Sequence, residues 1–515
     1  MAGNKEAHFR AVISHAAHGM TTRSSLAELF VDPGSSAPAI ISTSPMVVVS
    51  YRALAEQIER LSGQLRSCGL KPGDCVAIVL PNGLEFLVVF LALTHARLIA
   101  VPLNPAEKPD EIRFFIEDAQ ARAVVAEGAK FGVMEATAGL DLLIWQPRVD
   151  SRGVVELTEL PNASRSSIDP PSPDDIALFA YTSGTTGRPK CVPLSHANVL
   201  WSARNIAEQY DLSSADCSLV VLPLFHGHGL IGAALSTLAS GGSVIVPPRF
   251  SASEFWKLFR EHHATWYTAV PTIHQVLLAR ADSDGAPHSG PRFIRSCSAP
   301  LAPTILTKLE NRFGAPVLEA YGMTEAAHQV ASNPLPPLPR KPGTVGLSAE
   351  ISIIGEDGQH LKANTPGEVV VRGPNVMRGY RNNAEANAAA FIDGWFRTGD
   401  IGAIDNAGYL ALTGRIKDLI NRGGEKISHA EVEAVLLEHP AVAEAAVFGV
   451  PDPKYGEEVS AAVVLRGAAS AQELQRYCKT RLADFEVPKL IYLVSAIPKN
   501  AMGKVQRRDL TALFS

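Results

Sequence analysis

The stretch "YRALAEQIERLSGQL" (51–65) sets Leu54, Ile58, Leu61 and Leu65 along one stripe of a helix. "GLKPGD" (69–74) then breaks the pattern with glycines and a proline. "CVAIVL" (75–80) is a short apolar run of the kind that forms a buried strand. "GLEFLVVFLALTHA" (83–96) is apolar on nearly every side, so it predicts a helix buried all round. "RLIAVPLN" (97–104) reads as the next strand. Strand, helix and strand in succession imply a parallel sheet covered by helices. The same order returns at 215–248, where "CSLVVLPL", an apolar helical stretch and "GGSVIVPP" follow one another. "PNASRSSIDPPSPDD" (161–175) and "PLPPLPRKPGT" (334–344) are Pro-rich connectors.

After about residue 345 the pattern shortens. "EISIIGEDGQHL" (350–361), "GEVVVRG" (367–373) and "GYLALTGR" (408–415) are alternating strands with Gly turns, as in a small β-subdomain. A compact α+β unit begins near Arg415. There Ser428 and Glu431 form one capping-box pattern, with Val432, Val435 and Leu436 on one helical face behind it, and Ser470 and Glu473 form a second. "EAAVFGV" (444–450) and "VSAAVVL" (459–465) read as strands between them. The expected fold class is α/β: a large N-terminal domain over residues 1–414, made of layered α/β sheets plus a β-subdomain, and a small α+β domain over 415–515.

Composition narrows the function classes. The 515 residues are 46% hydrophobic and 19% charged, with net charge −5. That is the balance of a soluble globular protein of two or three domains, without the basic face a nucleic-acid partner would need. The longest apolar run, "FLVVFLAL" (86–93), is far too short to span a bilayer, so no membrane association is expected. The six cysteines are scattered and none forms a CxxC pair, which points to reduced thiols in the cytoplasm.

"YTSGTTGRPK" (181–190) changes the picture most. It is rich in hydroxyls and glycines, so backbone N–H groups can approach a polyanion, and Lys190 adds a point charge. It is not a Walker loop, because Cys191 stands where that motif has the hydroxyl that binds Mg²⁺.

With "YGMTE" (321–325), "GWFRTGD" (394–400), "GRIKDLINRGGEKIS" (414–428) and "PKNAMGK" (498–504) in the same order, the chain resembles the adenylate-forming superfamily of acyl-CoA synthetases, luciferases and peptide-synthetase adenylation domains. The resemblance implies that the C-terminal domain is mobile. It implies activation of a carboxylic acid by ATP to an acyl-AMP, with pyrophosphate leaving, and then thioester formation with CoA. Thr182, Ser183, Gly184, Thr185, Thr186, Gly187 and Lys190 would hold the β- and γ-phosphates. Thr324 would donate to the α-phosphate, and Glu325 would bind Mg²⁺ in place of the missing hydroxyl. Tyr321 would stack on adenine beside Glu319 and Ala320, Asp400 would accept from the ribose hydroxyls, and Arg415 would hold the ribose. Lys504 would be the catalytic lysine of adenylation. Lys417 would be the pivot, and Gly423 and Gly424 would line the CoA path.

The acid is read from fewer residues. His226 would gate the acyl pocket, and His228, Ser298, Ala299, Gly322 and His328 would border it. "ATWYTAVPTIHQ" (264–275), "RFIRSCSA" (292–299), "FGAPVLEAYGMTEAAH" (313–328) and "RGPNVMRGY" (372–380) are similar to stretches of plant and fungal oxalate–CoA ligases, which implies oxalate. Pro300 and Gly322 depart from that pattern, where Ser and Ala are expected. A second carboxylate needs partners when buried. The histidines and Ser298 are candidates, and no arginine stands out for the purpose. A short or medium-chain acid, an aryl acid, or loading of a carrier protein remain the alternatives. The oligomeric state is expected to be a monomer or homodimer.

Overall fold

A computed structural model describes residues 24–127, 132–161, 169–182, 189–287, 290–348, 350–416, 418–499 and 505–514. The helix Tyr51–Ser67 forms where the 3.6-residue periodicity places it. The Ser50 hydroxyl accepts from the N–H of Ala53 at 3.2 Å to cap it, and Leu54, Leu61 and Leu65 are fully buried. The helix Leu84–His95 buries Phe86 to Leu93 almost completely, as its all-round apolar sequence requires. Each fully buried Phe, such as Phe86 or Phe90, contributes about 1.5–3 kcal/mol of hydrophobic stabilisation. This helix connects the parallel strands Cys75–Val79 and Ile99–Pro102, so the strand–helix–strand reading holds.

Those two strands are central in a six-stranded sheet. Its order runs Lys190–Ser195, Ile176–Thr182, Ile99–Pro102, Cys75–Val79, Ala123–Ala126, Leu143–Trp145. An eight-stranded sheet stands beside it. Its central strands Cys217–Leu219, Trp266–Ala269, Phe293–Ser296 and Val317–Met323 are parallel, and His328–Ser332 closes one edge antiparallel. The β-subdomain carries Ile351–Ile354, Gly367–Val371 and Trp395–Ile404, onto which Leu410–Arg415 pairs.

The stretch after Cys217–Leu219 departs from a plain helix. Leu230–Leu235 forms a π-helical turn before the α-helical turn Ser236–Ala239. A π turn widens the helix locally and is common at functional sites.

In the C-terminal unit, Val442–Asp452 and Gly456–Leu465 form a long antiparallel pair. Ala446, Phe448 and Ala462 pack on one face with Leu510, while Val447, Ala461 and Val463 pack on the other with Val432, Leu436 and Leu474. The period of two sorts the side chains between those faces. One capping expectation needs correction. The helix His429–Glu438 starts where the pattern placed it, but the Ser428 hydroxyl donates to the carbonyl of Thr413 and makes no cap bond. Ser470 does cap, accepting from the N–H of Glu473 at 3.2 Å.

Candidate active site

The residues singled out in the sequence gather at the carboxyl ends of the parallel strands, where open α/β sheets place ligands. Thr182 and Lys190 are registered partners on adjacent antiparallel strands, so the two ends of the hydroxyl-rich stretch are held side by side. Ser183, Gly184, Thr185, Thr186 and Gly187 lie outside the described residues, as do Lys417 and Lys504.

Lys190 stands over the ring of Tyr380 at 4.5 Å, a cation–π contact. The Tyr380 hydroxyl donates to Glu325 Oε1 at 2.9 Å. Glu325 and Thr324 sit on the short turn Thr324–Ala326, which packs against both of those antiparallel strands. Tyr380 thus joins the lysine to the carboxylate. The sequence offered it only as the last residue of a quoted stretch.

A second chain of contacts links Tyr321, Asp400 and Arg415. The buried Tyr321 hydroxyl donates to Asp400, and Arg415 Nε donates to the other carboxylate oxygen at 2.8 Å. Burial, and then the Asp400 charge, push the Tyr321 phenol well above its usual range, so it stays a donor. The Asp400 carboxylate likewise raises Arg415. Ala320 lies buried one residue before Tyr321. Glu319 is 7% exposed and accepts from the N–H of Gly343 at 3.0 Å. Burial pushes its carboxyl up to about 8.

The third group is the most deeply buried. The rings of His228 and His328 stack with centroids 4.9 Å apart. His228 Nδ1 is 2.9 Å from Ser298 Oγ, and His228 Nε2 is 2.6 Å from Thr268 Oγ1. Arg295 lies behind both rings and is fully buried. Its Nη1 reaches His228 Nε2 at 3.1 Å and Thr268 Oγ1 at 3.0 Å. Its Nη2 reaches His328 Nε2 at 3.1 Å and Gln329 Oε1 at 2.8 Å, and its Nε donates to the Tyr210 hydroxyl at 2.9 Å. Among the described residues no carboxylate lies within ion-pair distance of Arg295. No arginine stood out for this pocket in the sequence, and the fold sets Arg295 against both of its histidines. In "RFIRSCSA" the residue reads as an ordinary strand position, and only the fold brings its five partners together.

Strain marks the same place. Ser298 (φ 73°), Ala327 (φ 44°) and His328 (φ 89°) all hold left-handed backbone without being glycine. Two glycines make room for His328. A Cβ on Gly232, in the π turn, would lie 2.5 Å from His328 Nε2, and one on Gly322 would lie 1.9 Å from the His328 carbonyl oxygen. This gives a physical reason for Gly322. Ala299 and Pro300 follow Ser298 on the exposed side. His226 is half-buried, and its Nδ1 accepts from the N–H of His228 at 3.2 Å, capping the turn that carries it.

Gly423 (φ 62°) and Gly424 (φ 99°) form the turn of a hairpin between Ile420–Arg422 and Glu425–Ile427. All six cysteines are free. Among the described residues no helix is long and apolar enough to cross a membrane.

Comparison with known proteins adds to this geometry. The model of the AMP-binding enzyme family matches residues 32–381, and that of the AMP-binding enzyme C-terminal domain matches 431–504. The chain is 48% identical over 499 residues to the oxalate–CoA ligase of Arabidopsis thaliana, covering 92% of this chain and 95% of that one. It is 38% identical to the sulfoacetate–CoA ligase of Cupriavidus necator, covering 92% and 94%. Among solved structures, the O-succinylbenzoate coenzyme A synthetase of Bacillus subtilis in complex with ATP and magnesium matches with a TM-score of 0.81 at 32% identity, covering 95% of this chain and 99% of that one.

Proposed function

The chain belongs to the AMP-binding enzyme family and is an AMP-forming acid:CoA ligase, and on that basis we propose that the acid it activates is oxalate. One observation carries the choice of acid. The buried floor beside Ser298 is polar and cationic, built from His228, His328 and Arg295, where an aliphatic or aryl acid would need apolar walls. The named activities of the two relatives agree, since oxalate and sulfoacetate are both small acids with a second anionic group.

The chemistry assigns the residues. A carboxylate oxygen attacks the α-phosphorus of ATP, the bond to pyrophosphate breaks, and an acyl-adenylate results. The thiol of CoA then loses its proton and attacks the acyl carbon, and AMP leaves. The first step brings two anions together, so donors and cations must be in place beforehand. Lys190 and the residues from Thr182 to Gly187 would hold the leaving pyrophosphate. Thr324 would donate to the α-phosphate, and Lys504 would reach the α-phosphate and carboxylate oxygens. Tyr321, Asp400 and Arg415 form a rigid rail for adenine and ribose.

Mg²⁺ fits at Glu325. A single hard carboxylate on a half-exposed turn next to the phosphate cradle is the protein share this ion takes when nucleotide phosphates complete its shell. Bound there, it would neutralise phosphate charge. The domains would be residues 1–414 and 415–515; in support, Arg415 is the last residue paired with the β-subdomain and Ile420 the first of the C-terminal sheet.

Formation of AMP and CoA thioester from ATP, CoA and a panel of oxalate, malonate, acetate, hexanoate and coumarate tests the proposal. Oxalate is expected to give the highest kcat/KM. Good turnover of a monocarboxylate with none of oxalate would sink the assignment.

A further inference from the structure

A fully buried guanidinium is costly without a counter-charge, because several kcal/mol of hydration must be replaced. Arg295 replaces it with hydrogen bonds to five partners: Tyr210, Thr268, His228, His328 and Gln329. Arg295 is fully buried, so it acts on the acid through these neighbours. Nε2 of both histidine rings faces the guanidinium, and Nδ1 of His228 lies 2.9 Å from Oγ of the half-exposed Ser298, so His228 stands between Arg295 and Ser298.

We propose that Arg295 is the positioning residue for acid selection: it holds the rings of His228 and His328 at their Nε2 atoms, and through His228 it places Ser298. At the same time it leaves one uncompensated positive charge behind them. A positively charged floor stabilises a second negative charge on the acid and gives a singly charged acid of the same size much less. This deepens the reading of the chain as an oxalate-activating ligase and rests on it. Gly232 belongs to the same device, because any side chain there would push His328 off Arg295.

The test is ATP–pyrophosphate exchange with oxalate and with glyoxylate, which has the same carbon count and one charge. It uses the full-length wild type, Arg295→Met, Arg295→Lys and Gly232→Ala. Loss of a charged hydrogen-bond network predicts that Arg295→Met lowers kcat/KM for oxalate by roughly 100-fold, mostly through KM, with glyoxylate changed by less than about threefold. Arg295→Lys is expected to recover part of the oxalate activity, and Gly232→Ala to show the same selective loss as Arg295→Met. A parallel loss for both acids, or an unchanged preference for oxalate, overturns the role of Arg295. If Arg295→Met loses its cooperative thermal transition, Arg295→Lys and Gly232→Ala decide the matter on the same comparison. A wild type that activates other acids but not oxalate overturns the substrate reading instead.

Discussion

Glu319 shows how one buried group makes stability depend on pH. Its carboxyl has a single backbone donor, Gly343, and stands near the negative Glu310, so burial holds its proton up to about 8. In the unfolded chain it would titrate in the ordinary carboxylate range, near 4.3. The folded state therefore binds the proton more tightly. The associated stability is fully present below about 4.3 and is lost as pH rises towards 8, where the fold must keep a buried carboxylate. Glu319→Gln keeps an acceptor for Gly343 and cannot ionise. Its melting temperature is expected to exceed that of wild type by a few degrees at pH 9 and to match it at pH 5. Equal melting temperatures at both pH values would refute the assignment. The sequence placed Glu319 beside the nucleotide, but not its proton, which depends on packing by the 341–343 segment far along the chain.

Secondary-structure elements were legible to different depths. The helices Tyr51–Ser67 and Leu84–His95 follow from periodicity alone, because their apolar positions meet a core that accepts any helix of that pattern. The π turn Leu230–Leu235 does not, and it packs against another element: the ring of His328 occupies the space beside Gly232. Arg295 was hidden for the same reason. Its partners Tyr210, Thr268 and Gln329 come from three other segments, and a lone arginine in "FIRS" looks like any solvated strand position. The hairpin turn at Gly423–Gly424 lies between these cases. Two positive-φ glycines in a two-residue loop are what the hand of strand twist favours. A Cβ on Gly424 would meet open space, so Gly424→Ala carries only backbone strain, on the order of 1 kcal/mol. If this turn lines the CoA path, the variant should adenylate oxalate normally and form the thioester more slowly. Equal slowing in pyrophosphate exchange would place the turn outside the second step.

At the scale of the whole molecule, the residues proposed for adenylation come from two parts of the chain. Lys190, Glu325, Tyr321 and Asp400 all belong to the part of the chain before Arg415. Lys504 belongs to the part after it, and the described residues on either side of it in the sequence are anchored there. Lys499 and Val505 form an isolated bridge, and Lys499 Nζ binds Glu444 at 2.7 Å. Arg507 binds Glu433 at 2.6 Å and the carbonyl of Val447 at 3.0 Å. Glu444 and Val447 lie on the long strand Val442–Asp452, which pairs with Gly456–Leu465 in the C-terminal sheet. In the proposed mechanism Lys504 would serve the nucleotide only when the C-terminal part of the chain brings it there. A residue delivered in this way can be needed for one half-reaction and idle in the other. Lys504→Ala is therefore expected to lower ATP–pyrophosphate exchange with oxalate by a factor on the order of 100 or more, the cost of losing a cation aimed at developing phosphate charge. Thioester formation from supplied oxalyl-adenylate and CoA should stay within about threefold of wild type, because that step makes and breaks no bond at phosphorus. Loss of both half-reactions to the same extent would mean that Lys504 holds the domain interface or the adenylate itself, and the division of labour between the two domains would have to be redrawn.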